Sequence, residues 1–160
     1  MTRCKLKLNL NTTTKFTNER KTTMKLIGYA RVSTDEQAQS GLGLAAQEAK
    51  LKAYCELYEH ELIEIIHDAG QSAKSLKRPG IAQALTMLSE GEADGLLVAK
   101  LDRLTRSVAD MASLINSHFS EKAGKALLSV ADQIDTTTAG GRRAFFFSLL
   151  LNFIFFVEYK

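Results

Sequence analysis

Arg31 and Ser33 stand two apart in the run Tyr29-Ala30-Arg31-Val32-Ser33. On a strand that spacing puts both side chains on one face. Arg103 and Arg106 stand three apart in Lys100-Leu101-Asp102-Arg103-Leu104-Thr105-Arg106, with Asp102 beside them. In a turn that enters a helix they too share a face. One hydroxyl, several guanidiniums and one carboxylate suit phosphoryl transfer. A phosphodiester is anionic and gains charge on its equatorial oxygens under attack; planar, permanently charged guanidiniums bind those oxygens in pairs and favour the transition state. A serine oxygen can form a covalent intermediate, and Asp102 is the nearby acid for the proton traffic. Blander readings stand beside this one. A serine after a strand is most often a turn or cap residue, and an adjacent Asp-Arg pair is most often a surface ion pair. A small-molecule phosphate site fits the same residue types. Gly41-Leu42-Gly43 resembles a phosphate loop only weakly, because it lacks the Lys-Ser/Thr of a P-loop.

The elements that must bring these residues together follow from periodicity. Lys25–Val32 is β-rich and reads as a first strand, followed by a polar loop over Ser33–Gly43. Leu44–Tyr58 has helical apolar spacing. Glu61–His67 reads as a second strand and Asp68–Lys77 as a mobile loop. Arg78-Pro79-Gly80 opens a helix that runs through Ser89, with proline in its first turn. Gly95–Lys100 is short, apolar and fits a buried third strand. Ser107 caps a helix whose apolar face is Val108, Met111, Leu114, Ile115 and Phe119. Ala126–Ala131 is a fourth strand, Asp132–Gly141 a loop, and a last helix runs onward. Alternating strands and helices predict an α/β fold: a single three-layer domain on a mainly parallel sheet. Sites in such sheets gather beyond the carboxyl ends of the strands, which brings the segment after strand one beside the segment after strand three.

Length and composition set the bounds. The 160 residues, 45% of them hydrophobic, suffice for one domain with a real core. The net charge of +3 is uneven. Residues 1–23 carry Arg3, Lys5, Lys7, Lys15, Arg20 and Lys21 against Glu19 alone, so the remainder is slightly acidic. Any basic site on the body must therefore be local. The first 23 residues read as a disordered basic tail, residues 24–141 as the domain, and residues 142–160 as an apolar helix. Cys4 and Cys55 form no spaced set, and His60, His67 and His118 lack metal-ligand spacing, so no metal and no disulfide is expected. Ala144–Val157 is apolar but shorter than the roughly 20 residues of a spanning helix. No membrane association is expected, and the expected location is cytoplasmic.

Four segments resemble the resolvase/invertase family, the serine recombinases. Tyr29-Ala30-Arg31-Val32-Ser33-Thr34-Asp35-Glu36-Gln37 is similar to its active-site signature. Lys100–Ser107 resembles its second motif and Ser75-Leu76-Lys77-Arg78-Pro79-Gly80 its third. Asp135-Thr136-Thr137-Thr138-Ala139-Gly140 resembles the start of its long helix. The resemblance covers roughly Met24 to Gly141 in the family's order. It implies that Ser33 is the nucleophile that becomes linked to a DNA 5′-phosphate. It implies that Arg31, Arg78, Arg103 and Arg106 hold the scissile phosphate, with Lys100 and Arg78 on the DNA. Asp102 resembles the acidic partner in proton transfer, and Gln37 and Gln47 resemble polar supports. The implied activity is site-specific DNA recombination without cofactor, by dimers that pair into a tetramer. All four arginines sit in loops or helix starts, so each is expected to be replaceable at little cost in stability.

The resemblance stops near Arg142. The family's long helix carries a polar stretch with a Glu-Arg pair, then a DNA-reading domain; here Phe145–Val157 is apolar apart from Ser148 and Asn152. The expectation is a form truncated within that helix, impaired in recombination and weak in sequence-selective DNA binding. Two other functions stay open: a non-catalytic remnant that associates with full-length recombinases, and a small-molecule phosphate-binding enzyme on a similar sheet.

Overall fold

Seven of the eight residues of Lys25–Val32 are buried, which requires cover on both faces of the strand they form, β1. In the computed structural model, which describes residues 23–32, 42–69, 78–120, 122–138, 140–143 and 145, that cover comes from helices on both sides. Ile27 and Tyr29 point into one core with the helices α2 (Pro79–Glu90) and α3 (Val108–His118). Leu26 points into the other, against Leu51 and Cys55 of the helix α1 (Leu42–Tyr58). The remaining strands are β2 (Glu61–Ala69), β3 (Gly95–Val98), β4 (Ala126–Ser129) and β5 (Ile134–Asp135). The sheet order is β2-β1-β3-β4-β5, with only β5 antiparallel. The expected three-layer α/β domain on a mainly parallel sheet is thus the fold observed.

The chain reverses its order of travel across the sheet between β1 and β3. In open parallel sheets the crevice beyond the carboxyl ends at such a switch point is where ligands bind. The segments after β1 and after β3 meet there. A 3-10 turn, Leu101–Arg103, follows β3 and leads to α3. Ser107 caps α3 as expected, its hydroxyl accepting from the Asp110 N–H at 3.2 Å.

Three expectations need correction. β2 runs two residues past His67, and Asp68 is a buried strand residue rather than part of a mobile loop. Its place is fixed by pairing with β1, where Arg31 stands opposite Asp68. The fourth and third strands end earlier than expected, at Ser129 and Val98, their last paired residues. The loop after β4 contains β5, whose Ile134 pairs with Ser129. The tail to residue 22, residues 33–41, the remainder of the second loop over residues 70–77, and residues 146–160 lie outside the described residues. No helix among the described residues is long and apolar enough to cross a membrane.

Candidate active site

β3 ends at Val98, opposite Tyr29 of β1. Two residues further along, the Arg31 backbone has no strand neighbour on that side, and buried peptide groups must find partners. Gln47 of α1 supplies them. Its carbonyl oxygen accepts from the Arg31 N–H at 3.2 Å, and its amide donates to the Arg31 carbonyl at 3.0 Å and the Gly43 carbonyl at 3.0 Å. Gln47 thus stands in for a strand beside Arg31.

The Arg31 side chain continues the Ile27–Tyr29 face and is 1% exposed. Its Nε donates to the Arg103 carbonyl at 3.1 Å, and Arg103 Nη1 reaches back to the Arg31 carbonyl at 3.4 Å. Arg78, the residue that caps α2, is 3% exposed and arrives at the same point. Its Nη1 donates to the Arg103 carbonyl at 3.2 Å and its Nη2 to the Leu104 carbonyl. Its guanidinium carbon lies 5.6 Å from the centre of the Tyr29 ring, a cation–π geometry. The Arg78 Nε is buried and makes no hydrogen bond among the described residues.

Asp102 engages Arg103 through both oxygens, at 3.1 and 3.4 Å. The pair is half-buried. Among the described residues, backbone carbonyls of the turn accept from the other two guanidiniums. Three guanidiniums thus meet at one turn in a partly desolvated crevice, with Asp102 directly paired to one of them. Guanidiniums grouped in this way are able to bind an anion whose charge is spread over several oxygens. Lys100 and Arg106 are exposed at the two ends of the turn. Ser33 and Gln37 lie outside the described residues, Ser33 following directly on the last residue of β1.

The expectation that all four arginines are loosely held fails for Arg31 and Arg78. Both are buried, because the carbonyls of a turn after β3 offer them acceptors that no local sequence feature reveals. Two further residues were missed as parts of the site. Asp68 is 3% exposed; it accepts from the Tyr29 hydroxyl at 2.9 Å and from the N–H groups of Gly80 and Ile81 at 2.9 and 3.2 Å. It ties the end of β2 to the first turn of α2, where an anion is favoured by the helix dipole. Burial pushes the Tyr29 hydroxyl well above its ordinary range, against the pull of Arg78, so Tyr29 remains a donor to Asp68. The signal for Asp68 was its place two residues after Ile66, on the same inward face.

Comparison with known proteins places this geometry among relatives. The family profile described as the resolvase N-terminal domain matches residues 26–152. A DNA-invertase of Escherichia phage P1 is 41% identical over 125 residues, which are 78% of this chain and 58% of that protein. The DNA-invertase hin of Salmonella typhimurium is 39% identical over 127 residues, 79% of this chain and 57% of that one. The chain therefore spans somewhat more than half the length of these relatives. Among solved structures, the N-terminal catalytic domain of TP901-1 integrase aligns with a TM-score of 0.71 at 32% identity, covering 84% of this chain and 98% of that one. A resolvase family site-specific recombinase from Streptococcus pneumoniae aligns with a TM-score of 0.62 at 25% identity, covering 85% and 93%.

Proposed function

The chain belongs to the resolvase family through its N-terminal catalytic domain, and from that premise we propose that it serves site-specific DNA recombination with Ser33 as the nucleophile. The Ser33 oxygen attacks the phosphorus of a DNA strand. The bond to the sugar 3′ oxygen breaks, that oxygen leaves with a proton, and a 5′-phosphoserine link holds the cut end. Attack by a 3′ hydroxyl on that link reverses the step, so no outside energy source is required.

The roles of the side chains follow from the charge that must be held. Arg31, Arg78, Arg103 and Arg106 take the non-bridging oxygens, whose charge grows in the transition state. Asp102, in the middle of the turn, orients Arg103 and serves the proton transfer. Lys100, exposed at the head of the turn, meets the neighbouring backbone phosphates. Gln37 and Gln47 support the loop that carries Ser33. The partners in this reading are DNA and further copies of the protein, as dimers that pair into a tetramer. The location is the cytoplasm, where bacterial and phage DNA lies.

One observation carries the reading. The guanidinium of Arg31, two residues before Ser33 in sequence, and that of Arg78, at the start of α2, both donate to the Arg103 carbonyl at the switch point. The test is a chimaera in which residues 24–141 are joined to the long helix and DNA-reading domain of a related invertase. It is given a duplex of that invertase's site, nicked beside the cut so that the released strand is lost. A covalent protein–DNA adduct should accumulate with the native serine and vanish in Ser33→Ala. An equal yield from Ser33→Ala would remove Ser33 from the role.

A further inference from the structure

The carbonyls of Arg103 and Leu104 are the frame on which Arg31 and Arg78 hang. The site is therefore only as well placed as the turn Leu101–Arg103. That turn has no cap of its own: Lys100, at its head, supplies no side-chain acceptor. The first N–H groups of such a turn have no partner within it and need one from elsewhere.

Asp132, on the loop between β4 and β5, provides it. One of its carboxylate oxygens, Oδ2, accepts from the Leu101 N–H at 2.8 Å and from the Ser129 hydroxyl at 2.6 Å. Ser129 is 1% exposed at the end of β4, so the carboxylate is anchored to the sheet. The same segment is held to the end of β3 by the Val130 N–H on the Val98 carbonyl and the Ala131 N–H on the Ala99 carbonyl, both at 3.0 Å. A negative charge at the head of the turn also complements the N–H dipoles there.

We propose that Asp132 is a positioning residue for the arginine site. It caps the Leu101–Arg103 turn from a separate loop and so fixes the carbonyls that aim Arg31 and Arg78. The proposal rests on the reading of those arginines as phosphate ligands, but its mechanical content stands apart from that reading. Asp132 is not a catalytic residue: it acts through the Leu101 amide and touches none of the guanidiniums in question.

The experiment uses the whole chain, labelled with 15N, in four forms: native, Asp132→Ala, Asp132→Asn and Ser129→Ala. Two quantities are read. The first is solvent exchange of the Arg31 Nε–H, which donates to the Arg103 carbonyl. The second is affinity for inorganic phosphate, the probe for the arginine cluster. Asp132→Ala should speed exchange at Arg31 and weaken phosphate binding about tenfold, the scale of losing a hydrogen bond to a charged group. Asp132→Asn keeps an acceptor oxygen and should restore slow exchange. Ser129→Ala removes only the anchor, is small enough for the buried site to accept, and should fall between native and Asp132→Ala. It keeps the test decisive if Asp132→Ala does not fold. Slow Arg31 exchange in both Asp132→Ala and Ser129→Ala, or failure of Asp132→Asn to rescue, overturns the proposal. A native chain that binds no phosphate, yet whose Arg31 exchange responds to Asp132→Ala, would sink the phosphate reading and leave the positioning role intact.

Discussion

Arg78 and Arg106 carry the same charge at very different structural cost. Arg78 is 3% exposed, bonds two backbone carbonyls and lies over the Tyr29 ring. Replacing it with alanine leaves buried carbonyls short of donors and removes the packing of its stem. The expected loss is about 2–3 kcal/mol of stability, seen as a fall of several degrees in the thermal midpoint. Arg106 is exposed, so Arg106→Ala should stay within about 0.5 kcal/mol of native. Both variants should lose adduct formation in the chimaera. Thermal unfolding of the two variants decides the point, and equal midpoints would show that burial of Arg78 contributes nothing. The difference between them was illegible in the sequence. Both arginines precede or begin helices in polar surroundings, and nothing local marks one as buried. The acceptors for Arg31 lie 72 positions away in the chain, and those for Arg78 lie 25 and 26 away. The chemistry of the site was readable from residue types, whereas its packing depended on which turn folds back over which strand.

The elements show a similar division. β1 was legible to its last residue, because its β-rich run gives way to the polar stretch that begins at Ser33. α2 was legible because proline can start a helix but not continue one. β5 was not, since two residues have no periodicity, and its existence depends on a neighbour. Ile134 pairs with Ser129, and the Leu127 N–H donates to the Thr136 hydroxyl at 2.8 Å. The junction of β2 and α2 gives a sharper test of how elements are fastened. By helix propensity alone, Gly80→Ala should stabilise α2 by up to about 1 kcal/mol. A Cβ at position 80, however, would lie 2.9 Å from three atoms of the Asp68 carboxyl group. Asp68 cannot give way easily, being held by Tyr29, Gly80 and Ile81. The clash should win, with a net destabilisation of about 1–3 kcal/mol. Denaturant unfolding of Gly80→Ala measures this, and a midpoint at or above native would mean that Asp68 is not the rigid clamp described.

At the scale of the whole molecule, α1 packs on one face of the sheet and α2 and α3 on the other. That bears on the apolar run after Arg143. Its first described member, Phe145, is 1% exposed and packs in the core shared with α2 and α3. Arg142 reaches back to the carbonyls of Thr136 and Thr137, at 2.9 and 3.3 Å. The segment up to Phe145 is thus part of the domain, four residues further than the boundary at Gly141 read from the sequence. Beyond it, residues 146–157 are apolar except for Ser148 and Asn152. A helix apolar all round needs burial on every side, and the one opening beside the described sheet with an apolar lining, between α1 and the β4–β5 edge at Tyr54, Tyr58, Val130 and Ile134, can cover at most one side of it. Large uncovered apolar patches drive self-association, so whatever part of the run the domain leaves uncovered should bring chains together. Light scattering and thermal unfolding on three lengths separate these contributions. The full chain should self-associate at micromolar concentrations. A chain ending at Phe145 should be monodisperse and keep its stability. A chain ending at Gly141 should also be monodisperse, but weaker by roughly 1.5–3 kcal/mol from the lost burial of one large side chain, and further weakened by loss of the Arg142 contacts. A monomeric full chain would mean that the run finds cover within its own domain. Equal stability of the two shorter chains would mean that Phe145 adds nothing to the core.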